Sequence, residues 1–178
     1  MRRDNLLMVA DSDRDANMLY AVRLFVPDPF IYLRMKGKCH IVMSDLEIDR
    51  ARGQARHCRT LSLSQTQRRL RQDGVKRPSL SQVIQFILRG QRIKKVVVPH
   101  NFPFGLASEL RELGLRLKPR RGAFFPEREI KSAEEIKKIS AALMMAEVGL
   151  AEGIQAIKTA KAGRGRRLIY HHVPLPPS

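Results

Sequence analysis

Short apolar runs alternate along the chain with stripes of three-four spacing. Leu6 to Ala10 is a continuous apolar run ended by Asp11-Ser12-Asp13, and it predicts a short buried strand. Acids and serine favour turns and helix starts because their side chains bond nearby amides, so Asp15 to Val22 reads as a short helix. Val26-Pro27-Asp28-Pro29 stops it, since each proline fixes φ and biases the residue before it away from helix. Phe30 to Arg34 and Cys39 to Met43 read as two strands, with a hairpin turn at Gly37-Lys38. Ser44-Asp45-Leu46-Glu47 predicts a helix start running to about Ala55, and Thr60 to Ser64 a further strand. Gln65 to Gln72 and Leu80 to Arg89 read as helices; Ser79 or Ser81 caps the second, which carries Val83, Ile84, Ile87 and Leu88 on its apolar face. Lys94 to Val98 is a β-branched run suited to an inner strand. Phe104 to Leu113 reads as a helix stopped by Gly114, and Leu115 to Lys118 as a short strand.

The longest stripe lies further on. Ile136, Ile139, Leu143, Ala146, Leu150, Ile154 and Ile157 share one face of a long helix. Ser132-Ala133-Glu134-Glu135 opens it as a capping box, in which Ser132 and Glu135 each satisfy the other's amide. Such a cap stabilises a helix by about 1 kcal/mol. The stripe suits a helix docked on its own domain, or one connecting two domains. The alternation of strands and helices implies an α/β layered domain with a mixed sheet. From Ala162 onward glycine, arginine and proline replace periodicity, predicting a loosely ordered tail.

The 178 residues, 43% of them apolar, are enough for one domain with a sizeable core. No apolar run approaches the roughly 20 residues of a membrane span, and the run Leu6 to Ala10 is too short for a signal peptide, so a cytoplasmic location is expected. Charge is uneven within the formal total of +17. Residues 1–50 are neutral, residues 51–95 carry +11 and residues 96–178 carry +6. A basic block invites a polyanion reading, but residues 51–95 offer one aromatic, Phe86, which belongs to the core pattern. A solvated basic surface, or one facing an acidic partner, is the plainer expectation for Arg68-Arg69-Leu70-Arg71 and for Arg89 to Lys95.

Candidate chemistry is sparse. Cys39-His40 and His57-Cys58 have ligand chemistry for zinc, but neighbours on a strand point to opposite faces, so Cys39 and His40 cannot easily share an ion. Two free, partly buried thiols are expected. His100 follows the Val96-Val97-Val98-Pro99 strand end, where ligand crevices form, and His171-His172 lie in the tail. Nucleophile elbows and phosphate-binding glycine loops are absent from the sequence, and Gly163-Arg164-Gly165-Arg166-Arg167 follows a helix rather than a strand. No catalytic, cofactor-binding or metal-ligating residue is therefore assigned.

The segment Arg128-Glu129-Ile130-Lys131-Ser132-Ala133-Glu134-Glu135-Ile136, with Phe124-Phe125 before it and the helix 133–157 after it, resembles the domain junction of creatinase/prolidase-type (pita-bread) metallopeptidases, which include Xaa-Pro aminopeptidases. The resemblance spans residues 6–160 and is strongest over 124–150. It implies a creatinase N-terminal-like domain over 1–130, a mixed central sheet flanked by helices in a ribonuclease H-like layered architecture. A connector helix at 131–160 would open the catalytic domain, ahead of a basic, proline-rich tail at 161–178.

In such a family the catalytic domain holds a dinuclear Mn, Co or Zn centre on two Asp, one His and two Glu, which activates water against a bond beside proline. Here no aspartate follows Asp73, and the glutamates beyond Glu129 are Glu134, Glu135, Glu147 and Glu152, all on one helix. The resemblance thus implies a chain without a metal centre of its own, either cut or truncated. It would shape subunit contacts and active-site access, through self-association or a pita-bread catalytic domain. The alternative is a basic nucleic-acid-binding protein reusing the fold.

Overall fold

The computed structural model describes residues 4–162, 168–170 and 173–174. The chain divides after Pro126 into two compact units.

In the first unit the elements run β1 (Leu6–Ala10), α1 (Ala16–Val22), β2 (Phe30–Met35), β3 (Lys38–Met43), α2 (Ile48–Gln54), β4 (Cys58–Ser62), α3 (Leu63–Gln72), α4 (Leu80–Gly90), β5 (Lys95–Val98), α5 (Phe104–Glu112) and β6 (Arg116–Pro119). The strands form one mixed sheet in the order β4-β3-β2-β1-β5-β6. β1, β2 and β3 are an antiparallel meander; β4 joins β3 in parallel, and β5 and β6 extend the other side in parallel.

Alternation along the strands builds two cores. Leu6, Met8, Phe30, Tyr32, Ile41 and Met43 point to one face and pack with Met18 and Val22 of α1, Ala51 of α2, and Phe124 and Phe125. Leu7, Ile31, Leu33, Val42, Val96 and Val98 point to the other and pack with Leu70 of α3, Val83, Ile84 and Leu88 of α4, and Leu110 of α5. Because both faces are covered, β1 and β2 read as continuous apolar runs rather than alternating ones. The mixed sheet flanked by helices is the expected fold class.

Local chemistry fixes the ends of these elements. Asp15 caps α1, accepting from the amides of Asn17 at 2.9 Å and Met18 at 2.8 Å. Ser79 and Gln82 form a capping box at the start of α4. The hairpin turn is Lys36-Gly37 rather than Gly37-Lys38: both residues have positive φ, 51° and 84°, and Met35 pairs with Lys38 to close it. A two-residue hairpin turn of this hand needs positive φ at both positions, which glycine supplies without strain. β4 begins at Cys58, two residues before the expected start, because parallel pairing with β3 extends its ladder.

Ser12 lies in the turn after β1, as its sequence predicts, and is fully buried there. Its Oγ donates to the Leu24 carbonyl at 2.6 Å and accepts from the Val26 amide at 2.8 Å. The Ser12 amide donates to the Val26 carbonyl at 3.0 Å. One side chain thus anchors the segment leaving α1 to the end of β1. At the opposite edge, Ser62 caps α3 through the Gln65 amide and donates to the Asp45 carboxylate at 2.8 Å. Hydrogen bonds from Ser64 and Ser62, with Arg68 nearby, hold Asp45 below its ordinary pKa against a smaller opposing effect of desolvation.

In the second unit, α6 (Ala133–Thr159) is a 27-residue helix opened by the Ser132/Glu135 capping box, as its sequence predicts. Among the described residues after α6, β7 (Lys161–Ala162), β8 (Leu168–Tyr170) and β9 (Val173–Pro174) form an antiparallel sheet. The Gly163–Arg167 run, His171 and His172 lie outside the described residues.

Two outcomes follow for stability. Ser12→Ala leaves the buried Val26 amide and Leu24 carbonyl without their side-chain partner, and should cost about 2 kcal/mol in urea unfolding, with an unchanged denaturant slope. Asp45, whose pKa is lowered on folding, contributes stability that is complete above the unfolded aspartate value of about 3.9 and fades as pH falls through the lower folded value. The gap in urea midpoint between the wild type and Asp45→Asn should therefore be widest at neutral pH and close under acid. A gap constant down to strongly acidic pH would contradict this assignment.

Candidate functional site

Three surfaces carry chemistry. The first is built by β3, β4 and the turn before β4. Cys39 stands directly opposite Cys58 in the parallel register, and the two form a disulfide bond, with Cα atoms 4.5 Å apart. This corrects the expectation of two free thiols. The sequence placed the residues 19 positions apart and gave no register between their strands, so their meeting was invisible. Strand alternation does send His40 away from Cys39, as expected. His57 is different, because it lies in the turn before β4 and is free of that alternation. Ligand atoms of Cys39, His57 and Cys58 all lie within 4.8 Å of one another, the only such His/Cys/Asp/Glu group of three among the described residues.

His57 is exposed, and its Nε2 lies 2.9 Å from the Ala21 carbonyl at the end of α1. His40, on the other face, has its pKa lowered chiefly by burial and also by Arg59 and Lys38, against the raising effect of the Lys38 carbonyl 3.1 Å from Nδ1. It is therefore a neutral imidazole at neutral pH.

The second surface is an open groove of about 600 Å³ over β5 and β6, lined by Asp4, Lys95, Val97, Lys118, Pro119, Arg120 and Arg121. Arg120 organises its rim. Its guanidinium pairs with Asp4 at 2.9 Å, donates to the Phe124 carbonyl at 3.1 Å, and sits 5.7 Å from the centre of the Phe124 ring. Phe124 in turn meets Phe125 edge-on at 5.0 Å, and Phe125 contacts Tyr20 and Tyr32. Lys95, Lys118 and Arg121 make the groove positive, which suits anionic groups of a partner. The sequence showed these cations but not that β5 and β6 set them side by side. His100 is exposed in the turn after β5 and does not line this groove.

The third surface is α6. Ile136, Ile139, Leu143, Leu150, Ile154 and Ile157 are between 44% and 66% exposed, and none of the helix's residues is buried. An apolar stripe this long is more than scattered surface hydrophobics. No helix among the described residues is long and apolar enough to cross a membrane. The basic block is also solvated: Arg68, Arg69, Arg71, Lys76, Arg77, Arg89, Arg92, Lys94 and Lys95 are all exposed, while Phe86 packs against the core.

No protein-family model matches the chain, and no curated protein matches its sequence. Solved structures do. The chain is similar to an X-Pro aminopeptidase from Thermotoga maritima, with a TM-score of 0.67 at 15% identity, over 90% of this chain and 42% of that one. It is similar to the prolidase from Pyrococcus horikoshii, with a TM-score of 0.63 at 19% identity, over 90% of this chain and 40% of that one. It is similar to an Xaa-Pro dipeptidase from Bacillus anthracis, with a TM-score of 0.58 at 16% identity, over 75% of this chain and 33% of that one. The fold is that of the N-terminal portion of these proteins, and the chain spans about two fifths or less of their length.

Proposed function

We propose that the chain is a non-catalytic N-terminal domain of an Xaa-Pro peptidase-like metallopeptidase, acting through subunit contacts and through access to an active site carried by a pita-bread domain. The observation that supports this most is the match itself: nine tenths of the chain aligns with about two fifths of an X-Pro aminopeptidase. The exposed stripe of α6 supplies the docking face such a role needs. On this reading the dinuclear Mn, Co or Zn centre belongs to the pita-bread domain and not to the Cys39, His57 and Cys58 group, whose soft ligands suit a different metal site.

The stripe carries the partner-binding energy by apolar burial, so association should be insensitive to salt. A second reading, a basic nucleic-acid-binding protein, is favoured by the exposed cations of α3 and of the turn between α4 and β5. It calls for polyanion binding that falls steeply with salt, since each neutralised phosphate releases counterions.

Light scattering on the full chain, alone and mixed with the metal-loaded catalytic domain of a pita-bread peptidase, separates these readings. The expected result is association with that domain or with a second copy, unchanged between low and high salt. Leu143→Glu with Leu150→Glu should weaken it at least tenfold without moving the urea midpoint of the first unit. The chain alone should not hydrolyse an Xaa-Pro peptide in the presence of Mn(II). Hydrolysis by the chain alone, or association that vanishes with salt and survives the double substitution, would overturn the proposal.

A further inference from the structure

The geometry points to Cys39, Cys58 and His57 as a redox-gated zinc site: closed by the disulfide, and open to one Zn(II) when the two sulfurs are reduced. The inference is independent of the reading above, since all three residues lie within the first unit.

Two thiolates and one imidazole are a zinc ligand set, and three protein ligands leave a fourth tetrahedral position for water or an incoming group. The three ligand atoms already lie within 4.8 Å of one another. Zinc–sulfur bonds of 2.3 Å in a tetrahedron place two sulfurs roughly 3.8 Å apart. Reduced Cys39 and Cys58, facing each other with Cα atoms 4.5 Å apart, reach that separation by side-chain rotation alone.

The hydrogen bond of His57 decides which ring nitrogen is left for a metal. The Ala21 carbonyl can only accept, so Nε2, 2.9 Å from it, is the donor, and Nδ1 is the nitrogen left to bind a metal. A metal-bound histidine characteristically donates its other ring N–H to such a backbone oxygen.

The surroundings suit thiolates. Arg34 is the register partner of Cys39 on β2, and its buried Nε has no hydrogen-bond partner among the described residues. A cationic neighbour of this kind favours the thiolate, which is the metal-binding form. The bound unit, one Zn(II) with two thiolates, is neutral and adds no charge to a basic edge.

The chemistry balances. A phosphine reductant attacks the S–S bond, the bond breaks, and water supplies the oxygen of the phosphine oxide and the two protons of the new thiols. Zn(II) then displaces those two protons as both sulfurs bind, and no electron is transferred to the metal. Reoxidation of the two sulfurs by a disulfide oxidant would expel it.

The test uses the full chain with Co(II) as a spectroscopic substitute for Zn(II). The phosphine-reduced chain should bind one Co(II) with a sulfur-to-cobalt charge-transfer band, and added Zn(II) should remove that band. The oxidised chain should show none. Cys39→Ser and Cys58→Ser should each abolish the band, and His57→Gln should weaken binding at least tenfold while thiolate absorption persists. A second measurement needs no variant: Zn(II) should protect both cysteines of the reduced wild type from alkylation. Absence of a band in the reduced wild type, a band surviving either serine substitution, or alkylation unaffected by Zn(II) would overturn the site.

Discussion

Burial of the central strand on both faces is the constraint on which the first unit depends. Leu6 and Leu7, neighbours in sequence, are both fully buried and face opposite ways. A strand in that position requires helices above and below it. α1 and α2 supply one layer, α3, α4 and α5 the other, and the loops between them are shaped by that demand. Ser12 shows how tightly. The chain turns out of β1, runs through α1 and comes back against its own exit, and a single hydroxyl satisfies both polar groups that the return would otherwise bury unpaired.

Helical coverage on the α1 side gives way over β5 and β6. Val97 faces the same side as Leu6, but what lies over it is the basic groove, closed at its edge by Arg120 and the two phenylalanines. A sheet that changes from sealed to open within two strands separates stability from recognition. The meander carries the core, and the parallel extension carries the charged surface. The apolar stripe on α6 is a second open surface, of opposite character.

Much of this was legible in the sequence because it rests on short-range rules. β1, β2, β3 and β5 announced themselves as apolar runs, α4 by a cap at Ser79 or Ser81 and an apolar face, and α6 by a serine cap followed three residues later by Glu135. What escaped was set by register or long-range contact. The hairpin turn moved by one residue because pairing between Met35 and Lys38, rather than glycine alone, places it. Cys39 and Cys58 became partners only once β3 and β4 were aligned in parallel, and His57 joined them only because a turn suspends strand alternation. The groove escaped likewise: Lys95 and Lys118 are far apart in sequence, and only adjacent parallel strands bring them to one wall.

The bond between Cys39 and Cys58 also makes a closed covalent ring whose circumference contains the whole of α2. β4 is the outermost strand on its side, with a neighbour along one flank only. Edge strands fray first, and native proteins open in segments rather than uniformly. With the ring closed, residues 39–58 cannot drift apart as a free loop, a restriction worth about 3 kcal/mol for a ring of this size. With it open, α2 and β4 become a separate cooperative segment that can lift from β3 while the meander stays intact. Amide protection in that one corner would then report the oxidation state of two sulfur atoms.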